Sequence, residues 1–148
     1  MIHLETEFPF PQNLLEGAAN AALAHESESL DSELSIVLTD DARLQQLNRD
    51  YLGIDAPTDV LSFPASETDP ETGARYIGDI LISMPRAQSQ AATAGHPLES
   101  EVQLLVVHGV LHLLGHDHAE PEEKTRMWAA QAEILETLGL GNIQIREE

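Results

Sequence analysis

The sequence predicts an α+β (α/β-like) fold, in which a sheet of about four strands packs with about five helices. Short β-branched and apolar runs are interspersed with longer segments that have helical periodicity and helix start and stop signals. At 148 residues the chain is long enough for a sizeable core, so we expect one domain over residues 1–148. The most apolar run, residues 102–114, falls inside one of the predicted helices.

Four segments have the pattern of strands, with alternating polarity or apolar β-branched residues between turn residues. The predicted strands cover residues 1–7, 34–38, 60–63 and 76–83. Pro64 lacks a backbone N–H and is expected to stop the third strand. The polar stretch 65–75, which contains Pro70 and Gly73, is predicted to be a flexible loop before the fourth strand.

Five segments have helical periodicity between suitable start and stop signals. The predicted helices cover residues 14–24, 41–51, 84–95, 97–115 and 121–138. Asn13 and Ser83 are suitable N-caps for the first and third helices, and Pro97 suits the start of the fourth. Gly95 and Gly115 are the expected ends of the third and fourth helices, because glycine adopts left-handed backbone angles at little cost.

The fourth predicted helix carries a concentration of histidine. Residues 108–118 hold four of the seven histidines of the chain. His108 and His112 are four residues apart, so on a helix both rings project from one face. If Gly115 ends the helix and reverses the chain, His118 comes back over the same face. Three neutral imidazoles would then converge and leave a fourth coordination position open, as in catalytic zinc sites.

The spacing of these histidines resembles that of the metzincin peptidases, with one difference. Those enzymes carry a glutamate, the general base, directly after the first histidine, and Gly109 occupies that place here. We therefore expect a zincin-like metal helix that activates water in different surroundings, and not a peptidase. His116 neighbours the expected turn and is predicted to be solvated or to support a ligand.

Acidic side chains outnumber basic ones by 26 to 7, which gives a net charge of −19. Such a surface argues against broad nucleic-acid binding through a basic face, although a divalent cation and a few arginines can make one cleft locally positive. The chain has no cysteine, which excludes disulfides and fits a reducing cytoplasm. We expect no membrane span and no secretory signal.

The connection between the second helix and the third strand contains several residues that favour turns or fix the backbone. Gly53 can end the helix, Pro57 fixes the entry into the strand, and Thr58 and Asp59 can bond neighbouring backbone amides. Two interpretations stay open. The segment is either an ordinary helix-to-strand connection or a loop that lines the metal cleft.

Three motifs, in this order, resemble the YbeY family of bacterial endoribonucleases. They are L-N-x-x-Y-x-G-x-D-x-P-T-D-V-L-S-F-P over residues 47–64, G-D-I at 78–80 before I-S at 82–83, and H-G-x-L-H-L-x-G-x-D-H over 108–118. The resemblance covers roughly residues 34–138, and the last motif is the most specific. It implies a mixed four-stranded sheet with several helices and a metal in a cleft between them.

The resemblance also implies a function. It places one metal ion, expected to be Zn²⁺ with Ni or Fe as alternatives, on His108, His112 and His118. The implied activity is the cleavage of single-stranded RNA, not DNA, in the maturation of the 16S rRNA 3′ end and in ribosome quality control. The implied partners are rRNA and the small ribosomal subunit with its proteins, in the cytoplasm. Asp117 either orients an imidazole or serves the turn.

One position departs from the family pattern. An arginine usually follows the aromatic residue of the Y-x-G segment and is thought to act on the RNA phosphate, whereas Leu52 follows Tyr51 here. Leu52 and the charge of −19 favour an alternative function, that of a ribosome-assembly binding protein with a structural metal and little nuclease activity. Another zinc metallohydrolase is the second alternative, and Gly109 argues against its peptidase form. The candidates to supply the missing guanidinium are Arg49, Arg75 and Arg86.

Overall fold

The computed structural model describes residues 2–117 and 119–143 and contains a four-stranded sheet packed with helices. The strands are β1 (Ile2–Thr6), β2 (Glu33–Thr39), β3 (Val60–Thr68) and β4 (Arg75–Ser83). The helices are α1 (Gln12–His25), α2 (Asp41–Leu52), α3 (Met84–Ala94), α4 (Leu98–Leu113) and α5 (Pro121–Thr137). The predicted α+β class is confirmed. None of these helices is long and apolar enough to cross a membrane.

The sheet is mixed, as the family resemblance implied. Its strand order is β1-β2-β4-β3, with β2 parallel to both β1 and β4. β3 pairs antiparallel with β4 and forms one edge of the sheet. The parallel pairs need long crossover connections, which accommodate α1 and α2, whereas β3 and β4 follow each other in a hairpin.

The two faces of the sheet are covered by different helices. On one face, side chains of β2 and β4 pack with α1, α4 and α5 in the main core. Alternate residues such as Val37 and Leu81 point to the opposite face, where they meet Leu44 of α2 in a smaller cluster. α4 is the central helix of the larger layer and contacts α1, α3, α5, β3 and β4. Most of its side chains are buried, which explains why it has a continuous apolar run instead of one apolar stripe.

α4 lies very close to the sheet. A Cβ added to Gly109 would stand 2.8 Å from Cγ2 of Ile80 in β4, closer than real Cβ contacts. A Cβ on Gly78, whose φ is +141°, would stand 2.7 Å from Cδ2 of Leu113 and would also collide with the carbonyl of Phe63. The two glycines therefore allow the helix and the sheet to approach each other. A glutamate at position 109 would not fit this contact.

One strand boundary differs from the sequence prediction. β3 continues through Pro64 to Thr68, so the first part of the predicted 65–75 loop is strand. The prediction that Pro64 stops the strand is wrong. β3 is an edge strand, which pairs on one side only, and proline is tolerated in edge strands because not every backbone N–H there is needed for pairing. The register of the β3–β4 pair shifts between Pro64 and Glu67, as at a β-bulge.

Of the predicted N-cap residues, one is confirmed and another is wrong. The Oγ atom of Ser83 accepts a hydrogen bond from the backbone N–H of Arg86 at 3.4 Å, which confirms Ser83 as the N-cap of α3. α1 begins after Pro11, and Asn13 lies inside its first turn, so the prediction of Asn13 as the cap is wrong. The fixed φ of proline gives this helix a start without a side-chain cap.

Charged side chains join the end of α1 to α5. His25 forms hydrogen bonds through Nε2 to Glu133 at 2.6 Å and through Nδ1 to Glu26 at 2.7 Å. The pKa of His25 is raised above its ordinary value, and the largest cause is the hydrogen bond to Glu133. Burial lowers this pKa, but the hydrogen bond to Glu26 raises it further.

The contact between Gly109 and Ile80 predicts different effects of the same substitution at two helical glycines. Gly109→Ala and Gly17→Ala both gain helix propensity, but only the first overpacks, since a Cβ on Gly17 meets nothing within 4 Å. We expect the free energy of unfolding of Gly109→Ala to lie about 1–3 kcal/mol below that of Gly17→Ala. Urea denaturation of the two variants measures this difference, and equal stabilities would contradict the close contact.

The raised pKa of His25 predicts a pH-dependent contribution to stability. A folded-state pKa above the unfolded value of about 6.5 means that the contribution is complete below that pH and is lost as the pH rises through the folded-state pKa. Because the pair is partly exposed, we expect no more than about 1 kcal/mol. His25→Asn should therefore cost more stability at about pH 6 than at about pH 9. A cost that does not change with pH would show that the pair contributes nothing as a charged pair.

Candidate metal centre

The last turns of α4 bring two of the predicted ligands together. The Nε2 atoms of His108 and His112 are 3.1 Å apart, and the ring centroids are 4.6 Å apart. Two nitrogen ligands of a tetrahedral zinc ion, each at about 2.0–2.1 Å from the metal, lie about 3.3 Å from each other. The two imidazoles are therefore arranged as ligands of one ion. Both are partly exposed on a helix that is otherwise mostly buried, so the site is open to solvent.

The chain reverses directly after these histidines. Gly115 has a φ of +100°, and its N–H donates to the carbonyl of His112 at 3.1 Å. The next N–H, that of His116, donates to the carbonyl of Leu111 at 2.9 Å. These bonds are typical of a helix that ends at a left-handed glycine. The predicted reversal at Gly115 is confirmed.

The third predicted ligand, His118, lies outside the described residues. Within residues 2–117 and 119–143, no group of three or more histidine, cysteine, aspartate or glutamate side chains is arranged to hold a metal ion. The structure thus brings two of the predicted ligands together, His108 and His112. The three-histidine site stays a prediction.

A buried glutamine fixes the orientation of the first histidine. Gln131 of α5 is 1% exposed, and its Oε1 lies 2.7 Å from Nδ1 of His108. An amide oxygen can only accept, so His108 carries its proton on Nδ1 and directs the lone pair of Nε2 toward His112. This is the tautomer that a metal ligand requires. The Nε2 atom of Gln131 has no hydrogen-bond partner among the described residues, so the bond to His108 is the polar contact that holds this buried amide.

Gln131 is a site residue that the sequence reasoning missed. It lies on the buried side of α5, three residues after Trp128 and three before Ile134, both of which were predicted to face the core. An amide on an apolar helix face was the available signal, because buried polar groups are almost always hydrogen-bonded. Trp128 itself is half-buried and packs edge-on against His108, with ring centroids 6.2 Å apart and an interplanar angle of 82°.

The turn after α4 is attached to the end of α1. Nε2 of His116 is hydrogen-bonded to the carboxylate of Glu26, which also bonds His25. Burial alone would raise the pKa of Glu26, but the hydrogen bonds to His116 and His25 outweigh it and lower this pKa. His116 is half-buried and bound to a carboxylate, so it is not the solvated side chain that was one of its two predicted roles. Its predicted role in supporting a ligand stays a prediction.

The connection over residues 53–59 is attached to α2. The side-chain amide of Asn48 donates to the carbonyl of Ala56 at 3.0 Å. In β3, which follows the connection, Ser62 Oγ donates to the carbonyl of Gly109 at 3.4 Å. The strand after the connection therefore lies beside the histidine helix. The role of the connection itself in lining a cleft stays a prediction.

Leu52 lies on the surface, 55% exposed, between Tyr51, 71% exposed, and Gly53. The three arginines that were candidates to supply a guanidinium in its place are each bound to a carboxylate. The pairs are Arg49 with Asp50 at 3.3 Å, Arg75 with Glu28 at 3.4 Å, and Arg86 with Asp41 at 3.0 Å. The bond from Arg86 is the main cause that lowers the pKa of Asp41.

Comparison with known proteins places this geometry in a family. The family model described as Endoribonuclease YbeY matches residues 5–139. A protein named Endoribonuclease YbeY from Roseiflexus sp. (strain RS-1) is 48% identical over 133 residues, which cover 86% of this chain and 83% of that protein. The protein of the same name from Moorella thermoacetica is 42% identical over 146 residues, 92% of this chain and 94% of that one.

A solved structure has the same fold. The solution structure of TM1509 from Thermotoga maritima covers 99% of this chain and 97% of its own, with a TM-score of 0.60 and 24% sequence identity. At that identity the likeness concerns the fold alone. The family match over residues 5–139 and the identities of 42–48% to relatives of similar length lead to one conclusion: the chain belongs to the YbeY family.

Proposed function

We propose that this protein is a zinc-dependent endoribonuclease that hydrolyses single-stranded RNA at a centre formed by His108, His112 and His118. The relatives named endoribonucleases support the activity, since they match 86–92% of the chain. The observation that carries the proposal is the pair of ring nitrogens 3.1 Å apart. An all-imidazole ligand set suits zinc, and nickel or iron can bind the same nitrogens.

The residues of the chain prepare the site in three ways. Gln131 keeps His108 in the tautomer whose Nε2 is free to coordinate. Trp128 packs edge-on against the same ring and restricts its movement. Glu26 holds His116 and thereby the turn that carries position 118. A bound zinc ion supplies Lewis acidity, which lowers the pKa of a water molecule toward about 7 and polarises a phosphoryl oxygen.

The proposed biological role is maturation of the 16S rRNA 3′ end and ribosome quality control in the cytoplasm. The motifs shared with the YbeY family support it. A net charge of −19 weakens the binding of free RNA without preventing it, so presentation of the RNA by the small ribosomal subunit fits the charge. The exposed Leu52 favours the alternative of a ribosome-assembly binding protein with a structural metal.

Replacing a ligand should remove the metal and the activity together. For His112→Ala we expect zinc affinity to fall by more than the roughly 10–100-fold that loss of a supporting group costs, and RNA cleavage to disappear. The matched control is His3→Ala, an exposed histidine of β1 that pairs with Glu33. Zinc content and cleavage of a short single-stranded RNA are measured on the same samples. Cleavage that survives the loss of zinc would overturn the proposal.

The same proteins, added to immature small-subunit particles, test the biological role. The wild type should shorten the 3′ end of the rRNA, and His112→Ala should not. Binding to the particles without cleavage at any metal load, together with no gain from Leu52→Arg, would favour the assembly-protein alternative.

Removal of the support for His108 should weaken metal binding without unfolding the protein. Gln131→Leu keeps a buried side chain of similar size and deletes the acceptor, so we expect zinc affinity to fall about 10–100-fold. Gln131→Glu keeps an acceptor for the Nδ1–H and should retain most of the affinity. Competition with a chromogenic chelator measures both. Equal zinc affinity in the wild type and Gln131→Leu would show that Gln131 does not position the ligand.

A further inference from the structure

The basic side chains of the described residues differ in how far their charge is neutralised. Most of the arginines donate to a carboxylate of a nearby glutamate or aspartate at 3.0–3.4 Å. The paired arginines are Arg43, Arg49, Arg75 and Arg86. A phosphate that approached one of them would have to displace that carboxylate.

Arg126 is different from these arginines. It lies on the exposed side of α5, and its guanidinium has no ion pair or hydrogen bond with another described residue. In a protein whose net charge is −19, a guanidinium without a carboxylate partner is a rare source of positive potential.

Arg126 borders a small cavity beside the histidine helix. The cavity has a volume of about 190 Å³, the space of roughly six water molecules. Its lining consists of Leu114, Gly115, His116, Asp117, Glu123 and Arg126. The first four of these form the turn that directly follows α4. The cavity therefore lies beside the turn that follows the two histidines, and Glu123 and Arg126 together form the wall contributed by α5.

A second cation lies on the same stretch of α5. Nζ of Lys124 is 5.8 Å from the ring centroid of Trp128, and Trp128 packs against His108. Lys124 thus lies on the face of α5 that packs against the histidine helix, whereas Arg126, two residues further along, projects from a different face and lines the cavity. Asp117 and Glu123 in the cavity lining offset part of the charge of Arg126.

We propose that Arg126 binds a phosphate group of a single-stranded RNA in this cavity, next to the nucleotide at the metal centre. The proposal rests on the endoribonuclease function proposed above. The planar guanidinium donates two parallel hydrogen bonds to phosphate oxygens, and it has no carboxylate to give up within the described residues. Arg126 is thereby a substrate-binding residue that fixes the position of the RNA strand relative to the histidines.

The test uses the zinc-loaded full chain and a fluorescently labelled single-stranded RNA of about ten nucleotides, with affinity followed by anisotropy over a range of KCl concentrations. For Arg126→Gln we expect the affinity to fall about five- to tenfold and the slope of log affinity against log salt to decrease by about 0.7, the value for one lost phosphate contact. In the cleavage assay, KM should rise by a similar factor while kcat changes little.

Two matched variants separate a local contact from general charge. Arg43→Gln removes the same charge from α2, where Arg43 is already paired with Glu7, and should leave affinity and salt slope unchanged. Glu123→Gln removes a negative charge from the cavity lining and should strengthen binding. Zinc content and melting temperature, measured on each variant, identify any change caused by metal loss or unfolding.

The outcomes distinguish this inference from the proposed function. If the wild type cleaves RNA and Arg126→Gln matches it in affinity and salt slope, the phosphate site is wrong and the nuclease function stands. If the wild type cleaves no RNA at any zinc load but Arg126→Gln still weakens binding as expected, the phosphate site stands and the nuclease function is wrong. If the wild type neither binds nor cleaves RNA, both proposals are wrong.

Discussion

The close approach of α4 to β4 is the contact on which the rest of the structure depends. It requires that position 109 in the helix and position 78 in the strand have no side chain, because Ile80 and Leu113 occupy the space opposite them. Once the helix is seated there, its other faces are covered by α1, α3 and α5. His108 and His112 then lie near the end of the helix, where both side chains are partly exposed.

This contact also explains why three separate sequence motifs occur together. The segment that includes Ser62 reaches the backbone of Gly109, and the carbonyl of Phe63 borders Gly78. Residues far apart in the sequence thus meet around two turns of one helix. The motifs therefore describe a packing arrangement as well as a set of candidate ligands. A side chain at position 78 or 109 would collide with the neighbouring element close to the histidines.

Much of this arrangement follows from the sequence because it is local. The four-residue spacing of His108 and His112 and the glycine after them define a helix face and its end without reference to other elements. The extension of β3 beyond Pro64 depends on that strand lying at an edge, which is a property of the whole sheet. The bond from Gln131 to His108 joins two helices, and no local periodicity specifies such a pair.

The local electrostatic potential of the protein is likewise not predictable from the sequence alone. The sequence gives the total of −19, but the effect of each arginine depends on which carboxylate stands beside it. Arg86 and Asp41 are 45 residues apart and form a bidentate salt bridge between α3 and α2. Such pairs neutralise the arginines where they lie, so the number of basic residues overstates the positive potential available to a ligand.

The proline and the register shift in β3 have a consequence for association between molecules. An outer strand normally presents free N–H and C=O groups that recruit a strand from another chain. Pro64 has no N–H to offer such a partner, and the register shift that follows interrupts the regular pairing of the strand. The β3 edge of the sheet is therefore a poorer template for intermolecular β-pairing than an uninterrupted strand would be.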